Sequence, residues 1–389
     1  MDQPNNVIYL DYNATTPIAP EVRTAMYPFI ETHFGNPSSD HAYGHITASA
    51  VANAREQVAA LLSCAPEEII FTGGGSESDN MALLGRVWAS GTSNPHIITS
   101  VVEHPAILAT CHFLERQGVA VDYVPVNGFG RVDPNDVRRL LRPETVVVSI
   151  MHANNETGTL QPIADISEIC HEAGVPLHTD ASQSVGKIST RVDELGVDLL
   201  TIAAHKLYAP KGIGALYIRN GIAVEPLIHG AGHEGGRRAG TENVPYIVGI
   251  GMAAEIALKG LPTEEGRQRE LCDRLFTMLE DHPGDLTLTG HPTDRLPNTL
   301  NVRFGGVDGN QLLTATPSIA ASTGSACHAG LSEPSPVLLA MGIDPVDAIG
   351  AVRLSLGRPT TQEEIDRAVE DLSRSASRLR ADATAIARS

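Results

Sequence analysis

A carboxylate and an amine follow two apolar runs in the middle of the chain. The first run ends on Asp180, and the second, residues 197–203, is followed by His205 and Lys206. Continuous apolar runs bounded by Gly, Pro and Asp are typical of strands covered on both faces of a sheet. Open α/β sheets bind their ligands where such strands end. A lysine that can lose its proton there is a candidate for Schiff-base chemistry, although lysines at strand ends are usually just solvated.

The pairing of these two residues suggests a cofactor. Asp180 could hold a protonated pyridine nitrogen while Lys206 binds an aldehyde, which is the arrangement expected of a pyridoxal phosphate (PLP) site. The pair alone does not require this interpretation, so other polar groups at strand ends are needed to support it.

A glycine run supplies a possible anion site. Gly73, Gly74 and Gly75 precede Ser76 between a predicted strand and a predicted helix. Glycines let the backbone approach a ligand closely, and free N–H groups at a helix start favour an anion. The spacing matches neither a P-loop nor a G-x-G-x-x-G fingerprint, and a simple N-cap in a tight turn is the structural alternative.

Two further polar groups come directly after predicted strands. His104 could stack on a flat heteroaromatic ring or shuttle protons, or it could only cap a helix. Asn155 lies in A-N-N-E-T-G, whose amides suit a hydroxyl or a carboxylate, or a turn.

The cysteines differ in their surroundings. Cys64, Cys111, Cys170 and Cys272 lie in or beside helical patterns and are predicted to be packing residues. Cys327 lies in a loop of small residues without apolar periodicity, as a mobile and accessible nucleophile would.

Composition limits the class of protein. A chain of 389 residues suggests two domains, and a net charge of −18 argues against nucleic acid or an anionic membrane as the main partner. Residues 1–6 are polar, which predicts no signal peptide, and no apolar run approaches the length of a membrane span. An odd number of cysteines without C-x-x-C fits neither a disulfide framework nor a metal site. We therefore predict a reduced, cytoplasmic, soluble protein.

Alternating strand and helix patterns predict the fold class. Repeated βα units from about residue 68 to residue 179 predict an α/β protein with a mostly parallel, doubly wound sheet. A (β/α)₈ barrel is the rival architecture, but residues 197–203 and 213–218 read as neighbouring antiparallel strands. A helix at 245–259, a polar break at 260–263 and a helix at 265–279 lead into a smaller α+β domain. Its other predicted elements are strands at 299–304 and 352–356 and a last helix at 363–378 with a solvated face.

Taken together, the motifs of this chain resemble the cysteine desulfurase family, in its long-loop branch, and its close relative selenocysteine lyase. The resemblance covers nearly the whole chain. The matching motifs are Y-L-D-Y-N-A-T-T-P from Tyr9, F-T-G-G-G-S-E-S-D-N from Phe71, E-H-P-A from Glu103, A-N-N-E-T-G from Ala153, H-T-D-A-S-Q-S-V-G-K from His178, A-H-K from Ala204, R-R-A-G-T-E-N-V from Arg237, S-A-C from Ser325 and R-L-S-L-G-R from Arg353.

The resemblance implies a fold and a set of site residues. It implies the aspartate-aminotransferase-like fold type I of PLP enzymes, a large PLP-binding domain at residues 15–260, and a small domain formed by 1–14 and 261–389 with the cysteine loop at about 321–334. It also implies a homodimer. The resemblance implies that Lys206 is the Schiff-base lysine, that Asp180 pairs with the pyridine nitrogen, and that His104 stacks on the ring and takes part in proton transfer. It places Asn155 and Gln183 near the ring hydroxyl, and Gly75, Ser76 and His205 at the phosphate, together with Thr241 of the other subunit. Arg353, with Asn155, would bind the substrate carboxylate, and Cys327 would be the nucleophile.

The implied reaction converts L-cysteine to L-alanine and leaves a persulfide on Cys327. The sulfur then passes to an acceptor protein, for iron–sulfur clusters or for another thio-cofactor or tRNA. Two departures from the family pattern stand out: Ala203 replaces a serine hydroxyl, and C-H-A-G follows where C-T-S is more common. The second departure resembles selenocysteine lyase, which is the alternative activity. An aminotransferase of the same fold, or a scaffold without turnover, are the other hypotheses.

Overall fold

The computed structural model describes residues 7–282, 284–324, 327–328 and 331–388, and for residues 327, 328, 331, 332, 384 and 386–388 it describes only the backbone. In chain order the strands are β1 (Ile8–Tyr9), β2 (Ile69–Thr72), β3 (His96–Ser100), β4 (Ala120–Val124), β5 (Thr145–Ser149), β6 (Leu177–Asp180), β7 (Leu199–Ala203), β8 (Gly214–Ile218), β9 (Leu286–Thr289), β10 (Thr299–Phe304), β11 (Ile319–Ala320), β12 (Cys327–His328), β13 (Leu331–Ser332) and β14 (Ala351–Ser355). The helices are α1 (Pro20–Glu31), α2 (Ala42–Leu62), α3 (Gly75–Ala89), α4 (Pro105–Arg116), α5 (Pro134–Leu140), α6 (Ile163–Glu172), α7 (Val192–Leu195), α8 (Val244–Glu280), α9 (Gly309–Ala315), α10 (Pro336–Ala340), α11 (Pro345–Ile349) and α12 (Gln362–Arg388).

The central sheet is open, with the strand order β2-β8-β7-β6-β5-β3-β4. Only β8 runs antiparallel to its neighbours β2 and β7, and the other pairs are parallel. Every residue of β3, β5 and β7 is buried, as expected for strands covered on both faces. The predicted doubly wound sheet and the antiparallel pairing of residues 197–203 with 213–218 are confirmed, and the barrel alternative is wrong.

This topology brings the candidate site residues to one edge of the sheet. The carboxyl ends of β2, β3, β5, β6 and β7 point the same way because these strands are mutually parallel. The segments that follow them carry Gly75, His104, Asn155, Asp180 and Lys206 in turn. A ligand site at this edge follows from the strand order alone.

A second hydrophobic core lies around the antiparallel sheet β14-β10-β9. Residues from β1, the carboxyl-terminal part of α8, and α12 complete it, and β1 pairs in parallel with β11. The N-terminal strand therefore packs with elements from the last third of the chain. The division of the chain at residues 14/15 and 260/261 into two domains stays a prediction.

The predicted polar break at residues 260–263 is wrong, because α8 runs without interruption from Val244 to Glu280 with Pro262 inside it. Its first half packs in the main core against α1 and α2, while Leu271, Leu275 and Leu279 belong to the second core. Both halves are held by tertiary packing, which overrides the local helix-breaking tendency of proline.

Two other expectations about helices need correction. By length and composition α8 could cross a membrane, contrary to the prediction that no apolar run approaches that length, and its first half packs against α1 and α2 in the main core. The last helix, α12, is longer than predicted and does not present only a solvated face. Ile365, Val369 and Leu372 are fully buried in the second core, so the arginines occupy the remaining faces.

Candidate active site

A cavity of about 290 Å³ opens at the carboxyl edge of the central sheet. Most of its lining lies at or after the ends of strands of the central sheet, and Arg353 of β14, in the antiparallel sheet, also reaches it. The predicted site residues that line it are Gly75, Ser76, His104, Asn155, Asp180, Gln183, His205, Lys206 and Arg353. The structure thus brings together residues that lie far apart in the sequence, from Gly75 to Arg353.

The amine and the carboxylate lie at the ends of neighbouring strands. Lys206 ends a single 3₁₀ turn that follows β7, and Asp180 is the last residue of β6. Burial lowers the pKa of Lys206, opposed by the charge of Asp180 and reinforced by that of Arg353. A lowered pKa favours the free amine, the form that attacks a carbonyl carbon. Asp180 is held in place because its Oδ1 accepts a hydrogen bond of 2.8 Å from the N–H of Ser182.

His104 is both an N-cap and a cavity residue. Its Nδ1 accepts a hydrogen bond of 3.1 Å from the N–H of Ala106, in the first turn of α4. Burial lowers the pKa of His104, with Asp180 opposing the shift. The ring is therefore neutral near pH 7, and since Nδ1 is an acceptor the proton is assigned to Nε2.

His205 is also held neutral. Burial, followed by the nearby cation of Lys206, lowers the pKa of His205 to about 4. Its Nδ1 lies 3.2 Å from the hydroxyl of Thr15. The imidazole can therefore contribute a hydrogen bond to a ligand in the cavity, but not a positive charge.

Arg353 is positioned by Asp11, which was not predicted as a site residue, and by the backbone of the predicted site residue Asn155. Its Nη2 donates to Oδ1 of Asp11 at 2.7 Å, and its Nη1 donates to the carbonyl oxygen of Asn155 at 2.9 Å. Arg353 is 6% exposed, and its buried Nε has no hydrogen-bond partner among the described residues. The guanidinium therefore keeps donor capacity for an anion, and a buried donor without a partner is costly unless a ligand satisfies it.

A second lysine, Lys187, forms hydrogen bonds with two residues that line the cavity. Nζ of Lys187 donates to Oδ1 of Asn13 at 3.0 Å and to Oε1 of Gln183 at 3.1 Å. Nε2 of Gln183 donates to the carbonyl oxygen of Asn13 at 3.0 Å. Burial lowers the pKa of Lys187 well below its ordinary value, and the cations of Lys206 and Arg353 add to the shift. Asn13 and Lys187 were missed, although both stand in the motifs that carried the family resemblance.

Another missed residue, Asp79, adds a buried acid to the cavity. It lies in the first turns of α3 and is 1% exposed. Burial and the negative charge of Asp180 raise its pKa well above the ordinary range. Its position one turn beyond Gly75 and Ser76 was the available signal, because residues that far apart share a helix face.

The residues present fit PLP. Asp180 is a carboxylate partner for a pyridine nitrogen, and Lys206 is a buried amine for an aldehyde. The first turn of α3 offers N–H groups to a phosphate, and Gly75 makes room for it. A Cβ on Gly75 would lie 3.1 Å from Cβ of Ala203, so any side chain there would crowd the cavity.

Two predicted site residues are not placed in this cavity. Thr241 lines a separate pocket with Gly73 and Arg238, so its role toward another subunit stays a prediction. Cys327 begins β12, which pairs antiparallel with β13, but its side chain lies outside the described residues.

The four other cysteines have the character of packing residues. Cys111, Cys170 and Cys272 are buried and Cys64 is half-buried. Burial raises the pKa of each of these thiols to about 12. They remain protonated near neutral pH and are poor nucleophiles.

Comparison with known proteins identifies the family. Residues 8–368 match the family described as "Aminotransferase class-V". The chain is 48% identical to "Cysteine desulfurase IscS" of Dictyoglomus turgidum over 96% of this chain and 95% of that protein. It is 46% identical to "Cysteine desulfurase IscS" of Methanosarcina thermophila over 94% of this chain and 91% of that protein. A solved "NIFS-LIKE PROTEIN" superimposes with a TM-score of 0.89 at 36% identity, covering 95% of this chain and 99% of that one.

A further solved structure is titled "SspA in complex with cysteine". It superimposes with a TM-score of 0.80 at 37% identity and covers 90% of this chain and 98% of that one. These likenesses extend over both hydrophobic cores and the cavity between the strand ends. The chain therefore belongs to the class V aminotransferase family and, within it, to the cysteine desulfurases.

Proposed function

We propose that this protein is a PLP-dependent cysteine desulfurase that converts L-cysteine to L-alanine and takes up the sulfur on Cys327. The observation that carries the proposal is the shared cavity of Lys206, Asp180, His104 and Arg353. The relatives named above support cysteine as the substrate.

The cavity residues divide the work of holding cofactor and substrate. When bound, PLP supplies an aldehyde for amines and a ring that takes up the electron pair left at the substrate Cα. Lys206 would hold the aldehyde and Asp180 would hold the proton of the ring nitrogen, while the neutral imidazole of His104 faces the same space. The lowered pKa of Lys206 suits its amine to act as the base toward the Cα proton of the substrate.

Arg353 orients the substrate through its carboxylate. The guanidinium is already fixed by Asp11 and by the carbonyl of Asn155, and its unpartnered Nε is available for a carboxylate oxygen. A fixed donor loses little entropy on binding, which favours a single substrate orientation.

Sulfur transfer is assigned to Cys327. Its thiolate attacks the substrate sulfur, so that a sulfur–sulfur bond forms while the carbon–sulfur bond of the substrate breaks. The electron pair of the broken bond stays with the substrate Cβ, which takes up one proton, and alanine results once Cα has also regained the proton that was removed from it. The other cysteines do not compete, because burial keeps their thiols protonated.

The wider setting is part of the same proposal. The persulfide passes to an acceptor protein of unknown identity, with iron–sulfur cluster assembly as the destination that the relatives' names favour. The chain works as a homodimer in which Thr241 reaches the partner's cofactor phosphate, and it acts in the cytoplasm. The chain is divided into a large PLP-binding domain of residues 15–260 and a small domain of residues 1–14 and 261–389, and the small domain contains the cysteine loop.

Three alternatives are disfavoured. Selenocysteine lyase would use the same cavity, but the relatives named above are cysteine desulfurases. The ratio of kcat/KM values for cysteine and selenocysteine separates the two activities. Simple amino transfer would give Cys327 no role, and a scaffold without turnover would give Lys206 none.

The decisive experiment follows sulfur and cofactor separately. Mass spectrometry after incubation with cysteine should find one extra sulfur on Cys327, and Cys327→Ser should lose sulfide release. Cys64→Ser is the matched control and should behave as the unchanged protein. Borohydride reduction and peptide mapping should find the cofactor attached to Lys206. Undiminished sulfide release by Cys327→Ser would refute the persulfide route.

A further inference from the structure

The cavity contains a serine hydroxyl that the reaction described above does not use. Ser182 lines the cavity, is 8% exposed, and follows Asp180 by two residues. Its N–H donates to Oδ1 of Asp180, which fixes its backbone. Its Oγ has no hydrogen-bond partner among the residues that the structure describes, although more than nine-tenths of the residue is removed from solvent. Oγ itself is not among the fully buried side-chain atoms that lack a partner, so it is open to the cavity and available for a ligand.

The hydroxyl lies beside the start of a helix. A Cβ built on Gly75, the first residue of the 15-residue helix α3, would lie 3.3 Å from Oγ of Ser182. The N-cap residue of α3, Gly74, has no side chain that could bond the first-turn N–H groups. Those N–H groups and the positive end of the helix dipole favour an anion at this point. The free hydroxyl and the helix start therefore meet at one place in the cavity.

The neighbouring strand contributes no polar group there. Ala203, the last residue of β7, places its Cβ 3.1 Å from the same built Cβ on Gly75. Positions 182 and 203 thus flank Gly75 together, and only position 182 carries a hydroxyl. An anion seated against Gly75 can receive a side-chain hydrogen bond from the β6 side of the site but not from the end of β7.

We propose that Ser182 donates a hydrogen bond to the phosphate group of the cofactor and supplies the hydroxyl that Ala203 does not provide. The inference rests on the proposed function, because it takes PLP as the ligand of this cavity. Ser182 is a cofactor-binding residue in this role, and it takes no part in moving protons or sulfur.

The test compares two ligands that differ only in the phosphate. The dissociation constants of PLP and of pyridoxal for the apoprotein are measured by fluorescence titration in wild type and in Ser182→Ala. A lost hydrogen bond to a charged group should weaken PLP about 10- to 100-fold and leave pyridoxal unchanged. Ser182→Thr keeps the hydroxyl, so its dissociation constant for PLP should stay within about threefold of the wild-type value.

A second variant asks whether the two positions face the same oxygen atoms. Ser182→Ala combined with Ala203→Ser should regain the affinity for PLP that Ser182→Ala loses. Equal weakening of PLP and pyridoxal, unchanged PLP affinity in Ser182→Ala, or a double variant as weak as Ser182→Ala would each overturn the proposal. Failure of the wild type to bind PLP at all would instead refute the proposed function, so the two failures are distinguishable.

Discussion

Glu156 should make the free energy of unfolding of this protein depend on pH, and the substitution Glu156→Gln should remove that part of the dependence. The carboxyl group is 7% exposed, and Oγ of Ser335 donates to its Oε2 at 2.5 Å. Burial raises the pKa of Glu156 from 4.5 to about 7, against the opposing effects of Ser335 and Arg353. Between about pH 4.5 and pH 7, Glu156 is therefore protonated in the folded protein but ionised in the unfolded chain.

The sign and size of the effect follow from this difference. Because the folded-state pKa is the higher one, the stabilisation is complete below about pH 4.5 and is lost as the pH rises to about 7. At about 1.4 kcal/mol per pKa unit, the whole loss is about 3 kcal/mol. In Glu156→Gln the neutral amide oxygen can still accept from Ser335, and this part of the pH dependence disappears.

Urea unfolding at fixed protein and cofactor concentration measures the effect, with the single tryptophan, Trp88, as the fluorescence probe. The wild type minus Glu156→Gln difference in the free energy of unfolding should fall with pH between about 4.5 and 7 and then level off. Glu168→Gln, an exposed change on α6, is the control and should give a constant offset. Parallel curves for wild type and Glu156→Gln would refute the reasoning.

Two other substitutions test the cavity and the sheet. Arg353→Lys should lower kcat/KM for cysteine by roughly 10- to 100-fold, mainly through KM, because a compact ammonium cannot reproduce the planar fork that reaches Asp11, the Asn155 carbonyl and a carboxylate from separate nitrogens. Steady-state kinetics measure the effect, and an unchanged KM would contradict the assignment. Gly214→Ala should destabilise the fold by about 1–3 kcal/mol, since its Cβ would lie 2.7 Å from backbone atoms of Gly74 and Ile202. Gly266→Ala, where a Cβ meets open space on α8, is the control for the urea midpoint, and equal midpoints for the two variants would contradict the packing argument.

The parts of the fold that local pattern determines were predictable. β7, which precedes Lys206, is apolar at every position except Thr201, so its burial and its place at the edge of a ligand site followed from composition. β6 is equally buried although Leu177 is its one apolar residue. The antiparallel strand β8 was also predictable, since only a short connection separates it from β7.

The parts that depend on contacts distant in sequence were not predictable. Asn13 and Lys187 meet across more than 170 residues, and Asp11 and Arg353 across more than 340. Nothing local marks such partners, because each is only a polar residue near a turn. The prediction of a break at residues 260–263 failed for a related reason, since packing in two cores outweighs the local preference of Pro262.

The continuity of α8 has a mechanical consequence. A helix turns about 100° and advances 1.5 Å with each residue, so one residue inserted near Gly260 would rotate every side chain beyond it relative to those before. Leu271, Leu275 and Leu279 would then leave the second core, which also contains neighbours of Arg353 on β14. The number of residues in α8 thus sets where the guanidinium of Arg353 stands relative to a cavity that is lined mainly by residues at the strand ends of the central sheet. Natural length variation should therefore be confined to surface loops.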